Sequence, residues 1–131
     1  MTTFADLGID QDIVDALASK GIVDAFPIQE QTIPLGLPGQ DIIGQAKTGT
    51  GKTFGFGIPV VQRLGLDPAP GVKALIVVPT RELAVQVFED MDMLTRNRAT
   101  SVVAIYGGKA YEGQIDQLKA GAQIVVGTPG R

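Results

Sequence analysis

The chain has 131 residues, about one domain's worth, and 44% of them are apolar, enough to close one hydrophobic core. It contains no cysteine and no histidine, which excludes a disulfide framework, a thiolate nucleophile, a Ser-His-Asp triad and the usual zinc sites. Catalysis, if any, is left to carboxylates, lysine, hydroxyls, backbone amides or a hard cation such as Mg²⁺. The net charge of −3 is uneven: residues 1–45 carry seven acids against Lys20 alone, whereas residues 46–131 carry ten bases against seven acids. The later part can therefore present a basic face to phosphates.

In chain order, residues 10–20 read as a short helix, with Asp10 as N-cap, Ile13, Val14, Leu17 and Ala18 on one face, and Gly21 as the stop. A second helix is expected from Pro27 to about Leu35, with Pro34 bending its end. After the Pro38-Gly39-Gln40 turn the pattern changes. Asp41–Gln45 reads as a strand, followed by a Gly/Thr loop and a helix over about 52–64. Lys73–Val78 is a continuous apolar run of the kind buried on both faces of a sheet. Helix 80–96, strand 100–106, helix 110–119 and strand 123–127 follow. Four apolar strands joined by helical crossovers predict an α/β fold, a parallel sheet of about four strands with helices on both faces. No apolar run is long enough for a membrane helix and the N-terminus lacks a basic region before an apolar one, so a soluble, cytoplasmic protein is expected.

Ligands of such sheets bind at the carboxyl ends of the strands. After the first expected strand comes Ala46-Lys47-Thr48-Gly49-Thr50-Gly51-Lys52-Thr53. Its glycines allow successive backbone N–H groups to face a concavity at the positive end of the next helix. Lys52 is placed to reach β- and γ-phosphates and the Thr53 hydroxyl to hold Mg²⁺. The strict phosphate-loop pattern fails by one residue, because Ala46 stands where a glycine is usual. An ordinary strand-to-helix turn is the alternative, and Gly-Lys-Thr at the junction favours the phosphate loop. The other strands lead into Pro79-Thr80-Arg81-Glu82-Leu83-Ala84, Gly107-Gly108 and Thr128-Pro129-Gly130-Arg131. Taken singly these read as a helix cap, a turn and a loop. Together they offer hydroxyls, helix N-terminal amides and two cations, groups that suit nucleic-acid backbone phosphates rather than base edges.

Phe26-Pro27-Ile28-Gln29, AKTGTGKT, PTRELA, Gly107-Gly108 and TPGR, in this order, resemble the first half of the N-terminal RecA-like domain of a DEAD-box RNA helicase. The resemblance covers essentially the whole chain. It implies a helical extension with the Q motif over 1–38 and the first part of a RecA-like ATP-binding domain over 39–131. It implies that Gln29 reads adenine, with Ile22 at the position of an aromatic that often stacks on the base and Phe4 at that of an aromatic upstream of the Q motif, and that both belong with residues 46–53 to the ATP site. Lys52 and Thr53 would then be catalytic, with Thr53 on Mg²⁺. It implies that Pro79, Thr80, Arg81, Gly107, Gly108, Thr128, Pro129, Gly130 and Arg131 contact the RNA sugar-phosphate backbone without reading sequence. A carboxamide at Gln29 suits that role, since one acceptor and one donor match the adenine edge and reject guanine.

Two departures stand out. Ala25-Phe26-Pro27-Ile28-Gln29 replaces the family's frequent Pro-Thr-Pro-Ile-Gln, and Ile22 replaces an aromatic that often stacks on adenine. The resemblance further implies that the acidic Asp-Glu-Ala-Asp quartet, Ser-Ala-Thr and a second RecA-like domain lie beyond Arg131. Without them this chain is expected to bind adenine nucleotide weakly and not to hydrolyse it. A helicase-type ATPase acting on DNA and a non-catalytic nucleotide- or RNA-binding module are the alternatives.

Overall fold

In the computed structural model, which describes residues 2–47, 51–108 and 111–131, three short apolar runs pair as a parallel sheet. They are β1 (Ala74–Val77), β2 (Val102–Ile105) and β3 (Ile124–Gly127), and the sheet order is β1-β3-β2. The helices are α1 (Gln11–Ala18), α2 (Pro27–Gly36), α3 (Lys52–Leu64), α4 (Arg81–Leu94) and α5 (Tyr111–Lys119), preceded by a 3₁₀ turn over Phe4–Leu7. Ala110, expected to open α5, lies outside the described residues. Two units are distinguished: residues 1–65 with 93–98, and residues 66–92 with 99–131.

In the first unit, hereafter the helical unit, a lone antiparallel bridge pairs Thr3 with Asp24, and the Phe4 N–H donates to the Val23 carbonyl at 3.0 Å. Phe4, Ile13, Leu17, Ile33, Ile58 and Val61 are fully buried. Helices α2 and α3 pack closely where Gly36 faces Pro59, since a Cβ at Gly36 would stand 2.8 Å from the proline ring. The Arg98 side chain is wholly buried. Its Nε and Nη2 bind the two oxygens of Asp12 at 2.7 and 2.9 Å, Nη2 also binds Asp10 at 2.7 Å, and Nη1 donates to the Val61 carbonyl at 3.2 Å. Asp10 does occupy the N-cap of α1, but its carboxylate serves Arg98 and makes no capping bond to the helix.

The expected strand Asp41–Gln45 is not one: these residues are irregular and exposed, Ile42 and Ile43 included. A strand exists only through pairing of its N–H and C=O groups, and no strand partner is provided among the described residues. The sheet therefore has three strands here rather than four.

In the second unit, the sheet unit, the register aligns Val77 with Gly127 and Ile105 with Gly127. Strand β3 lies between the other two and is buried throughout, as its run of β-branched residues favours. Val103, Ile105, Ala122 and Val125 form a core against which Leu118 of α5 packs. The expectation that Lys73–Val78 is covered on both faces fails, because Leu75 and Val77 are exposed. Among the described residues strand β1 pairs on one edge only, and it half-buries alternate side chains, Ala74 and Ile76.

Candidate nucleotide and phosphate sites

The helical unit holds the first site. Helix α3 starts at Lys52, and its N-cap, Gly51, has φ 80°, a left-handed conformation natural only to glycine. Glycine at the N-cap has no side chain to cap this N-terminus, whose first amides carry partial positive charge. Lys52 Nζ donates to the Ala46 carbonyl at 2.8 Å, drawing the helix start onto the beginning of its own loop. Thr53, the second residue of the helix, is partly buried. Lys47 is exposed, and Thr48, Gly49 and Thr50 lie outside the described residues.

Gln29 meets this loop directly. Its Nε2 donates to the Gly51 carbonyl at 3.0 Å, and its Oε1 accepts the Phe26 N–H at 2.7 Å. The second bond closes the N-terminal turn of α2. Only 1% of Gln29 reaches solvent. Each amide atom retains one further hydrogen-bonding valence, so the residue can hold Gly51 and still pair with another group. Phe4 is buried in the core, and Ile22 is half-buried, its N–H bonded to the Leu17 carbonyl. The exposed aromatic beside the loop is instead Phe26, whose ring carbon lies 3.1 Å from where a Cβ on Gly51 would stand. Phe26 belongs to the Phe26-Pro27-Ile28-Gln29 segment that carries the family resemblance but was not among the candidate binding residues, although it directly precedes Pro27 in that segment.

The sheet unit holds the second site. Because Val77, Gly127 and Ile105 are level, the segments after the three strands leave the sheet together. The ladder extends one step further, Val78 N–H to Gly127 O at 2.9 Å and Thr128 N–H to Ile105 O at 3.1 Å. Pro79-Thr80-Arg81, Gly107-Gly108 and Thr128-Pro129-Gly130-Arg131 thus share the carboxyl rim, and all but the half-buried Thr128 are exposed. Thr80 is the helix cap its residue type predicts: its Oγ1 accepts the Leu83 N–H at 3.2 Å. The Arg81 guanidinium lies against Gly108, where a Cβ would stand 2.5 Å from Nη1, and Gly108 has φ 88°. Behind the rim, Gln114 of α5 donates to the Tyr106 carbonyl at 2.9 Å and accepts from Arg131 Nη1 at 3.4 Å. Gln114 was not among the sequence-derived candidates, because a glutamine in a helix is ordinary until its burial is known.

The DEAD/DEAH box helicase family profile matches residues 26–131. The chain belongs to this family. It is 50% identical over its whole length to the ATP-dependent RNA helicase CshA of Listeria monocytogenes, covering 25% of that protein. It is 46% identical over 129 residues, 98% of this chain and 26% of the relative, to the DEAD-box ATP-dependent RNA helicase CshA of Bacillus subtilis. The chain thus spans about a quarter of the length of these curated relatives. Among solved structures, a DEAD box protein from Methanococcus jannaschii matches with a TM-score of 0.91 and 42% identity, over 100% of this chain and 36% of that one. A hypothetical ATP-dependent RNA helicase from Sulfolobus tokodaii matches with a TM-score of 0.83 and 38% identity, over 94% of this chain and 35% of that one. No helix among the described residues is long and apolar enough to cross a membrane.

Proposed function

We propose that this chain is the first part of an ATP-dependent RNA helicase, in which ATP binding and hydrolysis are coupled to separation or remodelling of RNA duplexes. Residues 1–38 are the extension bearing the Q motif, and 39–131 open the RecA-like ATP-binding domain. The observation that carries this reading is the hydrogen bond from Gln29 to Gly51, which ties the base-reading candidate to the phosphate-binding candidate. Base recognition through Gln29 requires local opening at Phe26, since the amide is buried.

The residues fit the nucleotide and its cation. The N-terminus of α3, with glycine at its cap, and the Lys52 ammonium suit phosphate oxygens. Among the described residues no group of three or more acids could hold a metal ion. Mg²⁺ would therefore take the Thr53 hydroxyl together with phosphate oxygens and water, its usual preference. Bound there, the ion would neutralise charge on the β- and γ-phosphates. The rim at 79–81, 107–108 and 128–131 binds the RNA sugar-phosphate backbone, and a second RecA-like domain is the partner that completes both sites. The cytoplasm is the proposed location.

Titration with fluorescent ATP and GTP tests the base-reading role. ATP is expected to bind more tightly, with the preference lost in Gln29→Leu, and equal binding of both nucleotides by the unmodified chain removes Gln29 from that role. Phosphate release from the 131-residue chain is expected to be absent, and turnover abolished by Lys52→Ala would overturn that expectation. In the complete protein, stimulation of ATPase activity by RNA and not by DNA is expected.

A further inference from the structure

Gln114 and Gln123 are both 5% exposed, and each uses its carboxamide as a bracket between segments. Gln123 works at the amino end of the sheet. Its Oε1 accepts the Ser101 N–H at 2.8 Å, and its Nε2 faces the Pro68 and Ala69 carbonyls at 3.3 Å each. Those partners are connecting backbone, and the bracket explains itself as loop closure. Gln114 works at the opposite end, and both its partners belong to the rim. Tyr106 is the residue immediately before Gly107-Gly108, and Arg131 ends the TPGR segment.

Packing alone does not call for a glutamine at this position. Leu118, one turn further along α5, packs on Val103, Ile105, Ala122 and Val125, whereas the buried side chain of Gln114 spends both ends of its amide on hydrogen bonds. The amide supplies what an aliphatic chain cannot, a donor toward the carboxyl end of β2 and an acceptor toward a guanidinium. The register of the sheet sets the level of the rim segments but not the direction in which a long arginine side chain projects.

We propose that Gln114 is a positioning residue for RNA binding, orienting the Arg131 guanidinium relative to the Gly107-Gly108 turn so that both meet adjacent backbone phosphates. This rests on the reading of the rim as an RNA-backbone site. It assigns to the helix behind the rim a role in affinity that none of the rim motifs contains.

The test uses the complete helicase and a single-stranded oligouridylate, with binding measured over a range of salt concentrations. Gln114→Met is expected to weaken RNA binding about five- to tenfold, as loss of one hydrogen bond would. It is expected to reduce the slope of log affinity against log salt by about 0.7, the value for one phosphate contact on a single strand. The KM for ATP stays unchanged. On an Arg131→Ala background Gln114→Met has no further effect on affinity. Gln123→Met lowers thermal stability without moving RNA affinity. Thermal melting verifies that each variant is folded, and if Gln114→Met does not fold, Gln114→Asn, one methylene too short for both partners, carries the same expectation. A folded Gln114 variant with unchanged affinity and slope overturns the proposal, as does additivity with Arg131→Ala. Unmodified protein that fails to bind RNA overturns the functional reading of the rim, and this inference with it.

Discussion

In the sheet unit, three segments distant in sequence reach one rim because parallel strands hold them in register, down to the Val78–Gly127 and Thr128–Ile105 bonds beyond the strands themselves. In the helical unit, no described strand leads into the candidate phosphate loop, and Gly51 is met by a side chain, Gln29, while Lys52 reaches back to Ala46. A backbone ladder is cooperative, and losing one contact leaves its neighbours in place. A loop held by single side-chain bonds, each worth about 1 kcal/mol, has no such reserve. Single substitutions should therefore damage the proposed nucleotide site more than the proposed phosphate rim.

The sharpest way to break this contrast is Gly51→Ala. A Cβ there would collide with the Gln29 amide and press on the Phe26 ring, and φ 80° is strained for alanine. Strain of about 1–2 kcal/mol together with the displaced Gln29 bond predicts roughly 100-fold weaker ATP binding, read by nucleotide titration of the complete protein. Binding within about threefold of the parent would mean that the loop does not depend on its contact with Gln29.

A smaller effect is expected from Arg98→Met, which tests what holds the N-terminal helices within the helical unit. The variant leaves two carboxylates without their partner, but Asp10 and Asp12 side chains are 49% and 22% exposed and regain water. A loss of about 2 kcal/mol is expected from chemical denaturation, less than for a wholly buried pair. The pH dependence fixes the cause. Hydrogen bonding to Arg98 holds the Asp12 carboxyl below its ordinary value, so its contribution is complete above the unfolded carboxylate range, near pH 4, and is lost as pH falls through the lower folded value. The parent should lose stability on acidification below about pH 4, and Arg98→Met should lose less over the same interval. Parallel acid limbs for the two proteins would assign the loss to other groups.

How much of this was legible beforehand follows the range of the interaction. Helix α3 was expected over about 52–64 and runs Lys52–Leu64, because its limits are set by local glycines and periodicity. The Thr80 cap was legible for the same reason. Asp41–Gln45 misled because Ile42-Ile43 has the composition of a strand, while being a strand depends on a partner elsewhere. Lys73–Val78 misled because an apolar run does not show whether its strand lies at an edge. The Arg98 cluster joins residues 10, 12, 61 and 98, and no pattern within any of those segments announces it. Gln29 and the rim motifs entered through resemblance to a family, whereas Gln114 could be recognised only from its burial and its two partners.

The smallest expected effect is that of Gly108→Ala. A Cβ would stand 2.5 Å from Arg81 Nη1, and φ 88° is again unfavourable for alanine, so about 1 kcal/mol of destabilisation is expected in thermal or chemical melts. The contacted atom is the far end of a flexible arginine, which can move aside while Thr80 still caps α4 and the extended ladder still fixes where the segments leave the sheet. RNA affinity should therefore fall only about threefold, through misdirection of Arg81, with the salt slope reduced by less than one full phosphate contact. A loss beyond about tenfold would show that the Gly107-Gly108 turn, rather than strand register, governs the rim, and the two sites would then be equally vulnerable to single side chains.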